Sequence, residues 1–215
     1  MIDKSILVLA VLEAGPRSLA ELVEASGLSR ATAHRLAVAL EGHGLVRRGS
    51  DGRFALGYRL LALGRSAADQ IPLVELARPH LIRLRDETGE SAQLYVRDGD
   101  ERVCVAAAES LHGLRTIVSV GSRLTMARGS AAAVLRGDPA PGGYLASVEE
   151  REPGVASVSA PVRGAGGAVV AAVSVSGPVD RTSRDPAARY GPAVLAAARA
   201  ASEDLGQQIE QRTLH

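Results

Sequence analysis

Ser18-Leu19-Ala20-Glu21-Leu22-Val23-Glu24-Ala25-Ser26-Gly27-Leu28-Ser29-Arg30-Ala31-Thr32-Ala33-His34-Arg35-Leu36 is the stretch on which the fold turns. Ser18 and Glu21 have the spacing of a capping box, in which hydroxyl and carboxylate each accept from an N–H that the helix start leaves without a partner. This predicts a helix from about Leu19 to Ala25. Ser26-Gly27-Leu28 supplies a tight turn, and Ser29 is a second N-cap for a helix reaching about Glu41, stopped by Gly42 and Gly44. Two short helices around a glycine turn form the helix-turn-helix pattern.

On the second of these helices Ala33, Leu36 and Leu40 recur at spacings of three and four and form an inward stripe. Ala31, His34, Arg35 and Val38 then face away, with Arg30 on the flank. A small-residue, basic face opposite a core stripe suits a major-groove helix, because it leaves room to approach and donors to reach bases and phosphates. Ser29 and Thr32, near the helix start, are placed to hydrogen-bond a phosphate. Downstream, Leu45-Val46-Arg47-Arg48, Gly49-Ser50-Asp51-Gly52 and Arg53-Phe54-Ala55-Leu56 read as a β-hairpin, which makes the unit a winged helix. Arg47, Arg48 and Arg53 are its candidate backbone or minor-groove contacts. Upstream, the apolar run Ile6 to Leu12 is too short, and too poorly flanked by Asp3 and Glu13, for a signal peptide. It reads as a buried first helix ending at Gly15-Pro16.

The chain has 215 residues, 46% of them hydrophobic and 23% charged, enough for two ordinary domains. No apolar run approaches the roughly 18 to 20 residues of a membrane helix. One cysteine, Cys104, excludes an intrachain disulfide and a paired-cysteine zinc site, and makes a reduced, cytoplasmic setting the expectation. Four tyrosines, one phenylalanine and no tryptophan argue against a stacking platform for single strands. The net charge of +1 divides into +3 up to Arg65 and −2 beyond it. Lys4 is the only lysine, so 24 of the 25 cations are arginines, whose planar forks suit phosphates and guanine edges.

Residues Gly57 to Ala68 continue as an amphipathic helix broken near Ile71-Pro72, which predicts a winged-helix domain over 1–57, a linker helix over 58–71 and a second domain over 72–215. Leu73 to Thr88 reads as a helix ending at Gly89. Period-two segments follow at Ser91 to Arg97, Arg102 to Ala107 and Arg115 to Val120, then at Ala156 to Arg163 and Ala168 to Ser176. An Ala-rich helix from Ala187 to Ile209 closes the chain. Strands flanked by helices without strict alternation predict an α+β fold. The inventory disfavours catalysis. His80, His112 and His215 offer no metal-ligand spacing, and there is neither a G-x-S-x-G elbow nor a phosphate-cradling glycine loop. Cys104, mid-strand among valines and alanines, reads as packing rather than a nucleophile. No metal or cofactor is expected. Val173-Ser174-Val175-Ser176 alternates an apolar face with a hydroxyl face, either a solvent-facing edge or the lining of a small polar pocket.

The segments Ser29 to Leu36, Phe54-Ala55-Leu56-Gly57, Ala127-Arg128-Gly129-Ser130-Ala131, Gly154 to Val162 and Val173-Ser174-Val175-Ser176-Gly177-Pro178 resemble the IclR family of bacterial transcriptional regulators. The resemblance covers nearly the whole chain. Thr88 to Tyr95 and Arg151 to Ser157 look closest to the NdgR/LtbR branch, associated with leucine biosynthesis and amino-acid metabolism. It implies a GAF-like effector-binding second domain and a homodimer, or dimer of dimers, on palindromic double-stranded operators. The family's ligand positions fall here on Gly129, Ser130, Ser147, Ser157, Ser174 and Ser176. Ser147 replaces an acid and Ser157 a cysteine, which implies a more neutral pocket, still able to hold an amino acid or small carboxylate. Between Leu135 and Tyr144 the chain has only eight residues where the family carries a lid-like segment of a few tens, so a more open pocket is expected. Two other readings remain: a metabolite sensor that uses its winged helix to dock protein partners, and an enzyme of the sheet domain.

Overall fold

The computed structural model describes residues 1–213, so the terminal His215 lies outside the described residues. The chain divides into two compact units, residues 1–70 and 71–215. No helix among the described residues is long and apolar enough to cross a membrane.

The first unit runs α1 (Ile2–Glu13), α2 (Leu19–Ser26), α3 (Arg30–Gly42), β1 (Val46–Arg48), β2 (Phe54–Leu56) and α4 (Arg59–Asp69). Both N-caps form as the sequence dictates. Ser18 Oγ accepts from the Glu21 amide and Glu21 Oε2 from the Ser18 amide at 2.7 Å, while Ser29 Oγ accepts from the Thr32 amide. Gly27 ends α2 in the left-handed region at φ 66°, which a side chain would resist. Val8, Leu12, Leu22, Leu36, Ala37, Leu40, Val46 and Phe54 close one core, drawing on α1, α2, α3 and both wing strands. The wing pairs Val46 with Leu56 and Arg48 with Phe54. It is extended by Arg17, which exchanges both backbone hydrogen bonds with Phe54.

The second unit begins with α5 (Pro72–Thr88), closed by a left-handed Gly89. Then come β3 (Ser91–Asp98), β4 (Glu101–Ala108), β5 (Arg123–Thr125), α6 (Ser130–Arg136), β6 (Leu145–Val148), β7 (Val155–Arg163), β8 (Val169–Pro178), α7 (Val179–Thr182) and α8 (Pro186–Thr213). The six strands form one antiparallel sheet in the order β5-β4-β3-β8-β7-β6. The result is a mixed helix-and-sheet fold.

Period two sorts the strand residues to opposite faces. Ala92, Leu94, Val158, Ala160, Val162, Ala171, Val173 and Val175 join Leu81, Leu84, Val194 and Ala198 of α5 and α8 in the main core. The other face carries two polar rows under α6. Ser147, Ser157, Ser176 and Ser91 are successive partners across β6, β7, β8 and β3, and Ser159, Ser174 and Gln93 form a second row.

Several elements differ from the sequence reading. Residues 115–120 form no strand. Val118 is buried but Ile117 and Val120 are exposed, and the segment is held by isolated bonds, such as Ser91 Oγ to the Thr116 carbonyl. The strand beside β4 is instead Arg123–Thr125, reached after a turn in which Gly121 N donates to the Cys104 carbonyl. The short strand β6 and helix α7 also went unpredicted, since four residues of mixed polarity give no period to read.

Candidate functional site

The outward face of α3 carries exposed Arg30, Ala31, His34, Arg35 and Val38, with Thr32 half-buried, while Ala33, Leu36, Ala37 and Leu40 are buried. Ser29 is exposed at the helix start, and its hydroxyl lies 2.9 Å from that of Thr32. Arg47 and Arg48 are exposed on the wing, steadied by aromatic rings. The Arg47 guanidinium lies 5.3 Å from the Tyr58 ring centre, and that of Arg48 lies 4.9 Å from Phe54. Arg53 is engaged differently. Its two terminal nitrogens meet both oxygens of Glu21 at 2.9 Å, which ties the wing to α2 and leaves Arg53 half-buried.

On the polar sheet face, Gly129, Ser130, Ser147, Ser157, Ser174 and Ser176 line a single recess, shared with Tyr95, Arg102, Ala131, Arg151 and Val155. The room inside suffices for about one or two water molecules. A continuous hydroxyl chain runs along its wall. Ser147 Oγ lies 3.1 Å from Ser157 Oγ, Ser157 2.7 Å from Ser130, Ser130 2.8 Å from Ser159, and Ser159 donates to Ser174 at 2.9 Å. Ser176 Oγ donates to Gln93 Oε1 at 3.2 Å. Gly129, the residue before α6, has φ 92°, a conformation that favours glycine, and its amide donates to Glu150 Oε2 at 3.1 Å.

The sequence reading missed the recess's arginines, its tyrosine and Ser159. Ser159 had a local signal, since Ser157-Val158-Ser159 repeats the alternation of Ser174-Val175-Ser176. Arg102 and Arg151 had none. Burial pushes the Tyr95 hydroxyl far above its ordinary range, so it remains a neutral donor. Besides the hydroxyls, the lining thus holds two guanidinium groups, those of Arg102 and Arg151. Residues 137–144 line none of it. They connect to the far end of α6, beyond Arg136. Cys104 is fully buried, and burial pushes its thiol up to about 12, away from nucleophilic use.

A capped helix-turn-helix with a wing, followed in one chain by a sheet unit with a hydroxyl-lined recess, is the architecture of a transcriptional regulator. Residues 1–50 match the IclR helix-turn-helix domain, and residues 65–136 and 141–203 match the bacterial transcriptional regulator IclR C-terminal domain. The chain belongs to the IclR family, whose members are DNA-binding transcriptional regulators and not enzymes. It is 30% identical to the Glycerol operon regulatory protein of Streptomyces griseus, over 95% of this chain and 96% of that one. That alignment runs over 243 positions, of which 95% of a 215-residue chain fills about 204, so about 39 have no counterpart here. The break between residues 136 and 141 in the family match falls within the short segment. The HTH-type transcriptional regulator KipR of Bacillus subtilis is 31% identical over 54% of this chain, which spans 46% of that protein.

Among solved structures, a Rhodococcus sp. RHA1 protein superposes with a TM-score of 0.77 at 28% identity, covering 95% of this chain and 98% of its own. An IclR homologue from Microbacterium hydrocarbonoxydans, complexed with 4-hydroxybenzoate, shares the fold with a TM-score of 0.79 at 22% identity, with the same coverage.

Proposed function

We propose that the chain, as a dimer, reads a palindromic duplex operator with the exposed face of α3, and that a small molecule in the serine-lined recess adjusts that binding. The observation that carries the DNA-reading role is the exposed row Arg30, Ala31, His34 and Arg35 on an N-capped helix whose other side is sealed into the core. Small residues let the helix enter the groove, and Arg35 supplies a fork for a guanine edge or phosphate. Ser29, Thr32, Arg47 and Arg48 contact the backbone. Arg53, occupied by Glu21, fixes the wing's position rather than meeting DNA.

The effector's class is an amino acid or a small carboxylate, held by hydroxyls and guanidinium groups. The 4-hydroxybenzoate bound by the Microbacterium homologue is an acid of this kind. A role in leucine biosynthesis draws no support from the relatives named above, one of which regulates a glycerol operon. Docking to protein partners through the winged helix has no observation in its favour.

The test is fluorescence anisotropy on a palindromic fragment from upstream of the chain's own gene, titrated with salt. A preference over scrambled DNA at physiological ionic strength is expected, with affinity falling steeply as salt rises. Equal binding to both fragments would sink the DNA-reading role.

A further inference from the structure

Arg102, the second residue of β4, is only 3% exposed, yet among the described residues no carboxylate forms an ion pair with its guanidinium. Nη1 donates to the Thr125 carbonyl, and the group lies 5.6 Å from the Tyr95 ring centre. Nε is buried without any partner. Nη2 lies beside Gly129, about 3.3 Å from where a Cβ would stand there, so the absence of a side chain leaves this corner of the recess open. Nε and Nη2 share one edge of the guanidinium, the edge that grips two oxygens of a planar anion side by side. Among the described residues neither nitrogen of that edge has a hydrogen-bond partner, and Arg102 is part of the recess wall.

The surrounding charge makes the free edge costly to the protein alone. The charged groups acting on Arg102 include Arg151, also in the wall, and Arg136, both of its own sign. Arg151 has only a loose pair with Glu152, at 3.9 Å. Glu150, an acid beside the recess, is exposed and spends Oε2 on the Gly129 amide. A buried cation facing like charges is an arrangement that a ligand's negative charge would relieve.

We propose that Arg102 is the specificity-determining residue of the recess, gripping a ligand carboxylate side-on through Nε and Nη2 while the hydroxyls of Ser130, Ser157 and Ser174 orient the remainder. The recess thus selects small monoanionic carboxylates over their uncharged amides. Family resemblance assigns Arg102 no role, and the proposal rests on the recess being the effector site.

The experiment is thermal unfolding of the full chain with acetate, lactate or benzoate and with acetamide, lactamide or benzamide, at fixed ionic strength. At least one carboxylate should raise the Tm in a concentration-dependent way while its amide does not. Arg102→Met should lose that shift while binding operator DNA, without ligand, as the native chain does. Should Arg102→Met fail to fold, Arg102→Lys keeps the charge but not the fork, and at least a tenfold weaker carboxylate response is expected. An amide as effective as its acid, no response to any of the three acids, or an undiminished shift in the folded variant would each overturn the proposal. A native chain that answers carboxylates but shows no operator preference would overturn the DNA-reading role and leave Arg102's role standing.

Discussion

Glu21 and Arg53 meet through two hydrogen bonds of 2.9 Å, although they stand 32 residues apart, and the same Glu21 carboxylate closes the capping box at Ser18. One acid therefore starts α2 and anchors the wing. The Ser18 amide and then the Ser18 hydroxyl hold its carboxyl below the usual glutamate range, and Arg53 and Arg17 add to this. The depressed value means that the contribution is complete above the ordinary glutamate pKa, about 4.3, and is lost as pH falls through the lowered one. Glu21→Gln should destabilise the first unit at neutral pH, with the difference shrinking as pH falls below about 4. Denaturant unfolding at several pH values checks this, and a difference that grows in acid would contradict it.

Arg35→Ala should weaken operator binding by about 1 to 3 kcal/mol if the side chain grips a guanine edge. Discrimination against scrambled DNA should fall with it. Arg47→Ala, on the wing, should instead weaken both fragments alike and make the salt dependence shallower by about one unit of slope. Anisotropy titrations on the two fragments separate these outcomes.

Ser159 is fully buried between Ser130 and Ser174. Ser159→Ala removes a partner from both hydroxyls and should cost about 1 to 3 kcal/mol of stability, read by chemical denaturation. A neutral substitution would mean that the neighbouring hydroxyls re-pair without it.

Cys104 packs with no exposed surface, its thiol weakly donating to the Ala106 and Val118 carbonyls. With its pKa pushed up to about 12, it should resist iodoacetamide at pH 8 and react promptly once denaturant opens the domain. Mass spectrometry of the alkylated chain reads both rates. Fast labelling of the native protein would show that β4 opens readily.

The helix-turn-helix was legible because its signals are local: Ser18 with Glu21, Gly27, Ser29 and a stripe of period 3.6 all lie within a few residues of what they control. Alternation exposed the main strands for the same reason. Residues 115–120 misled, since Thr116, Ile117, Val118 and Val120 have strand propensity but find no ladder partner in this sheet. The serines of the recess came from resemblance and from their alternation. Arg102 and Arg151 are nearly 50 residues apart in sequence and meet only when β4 and the turn before β7 are brought to one wall. No local pattern marks such a pair.

The segment from Gly137 to Tyr144 has one last consequence. Since it contributes nothing to the recess wall, a ligand arriving there waits on no backbone flap of that segment. For an effector held there, entry and exit then ask only the lining side chains to give way, with no closure of a covering loop from that segment. Such a site fills and empties with the concentration outside it, so it reports the present level of its ligand and keeps little memory of an earlier one.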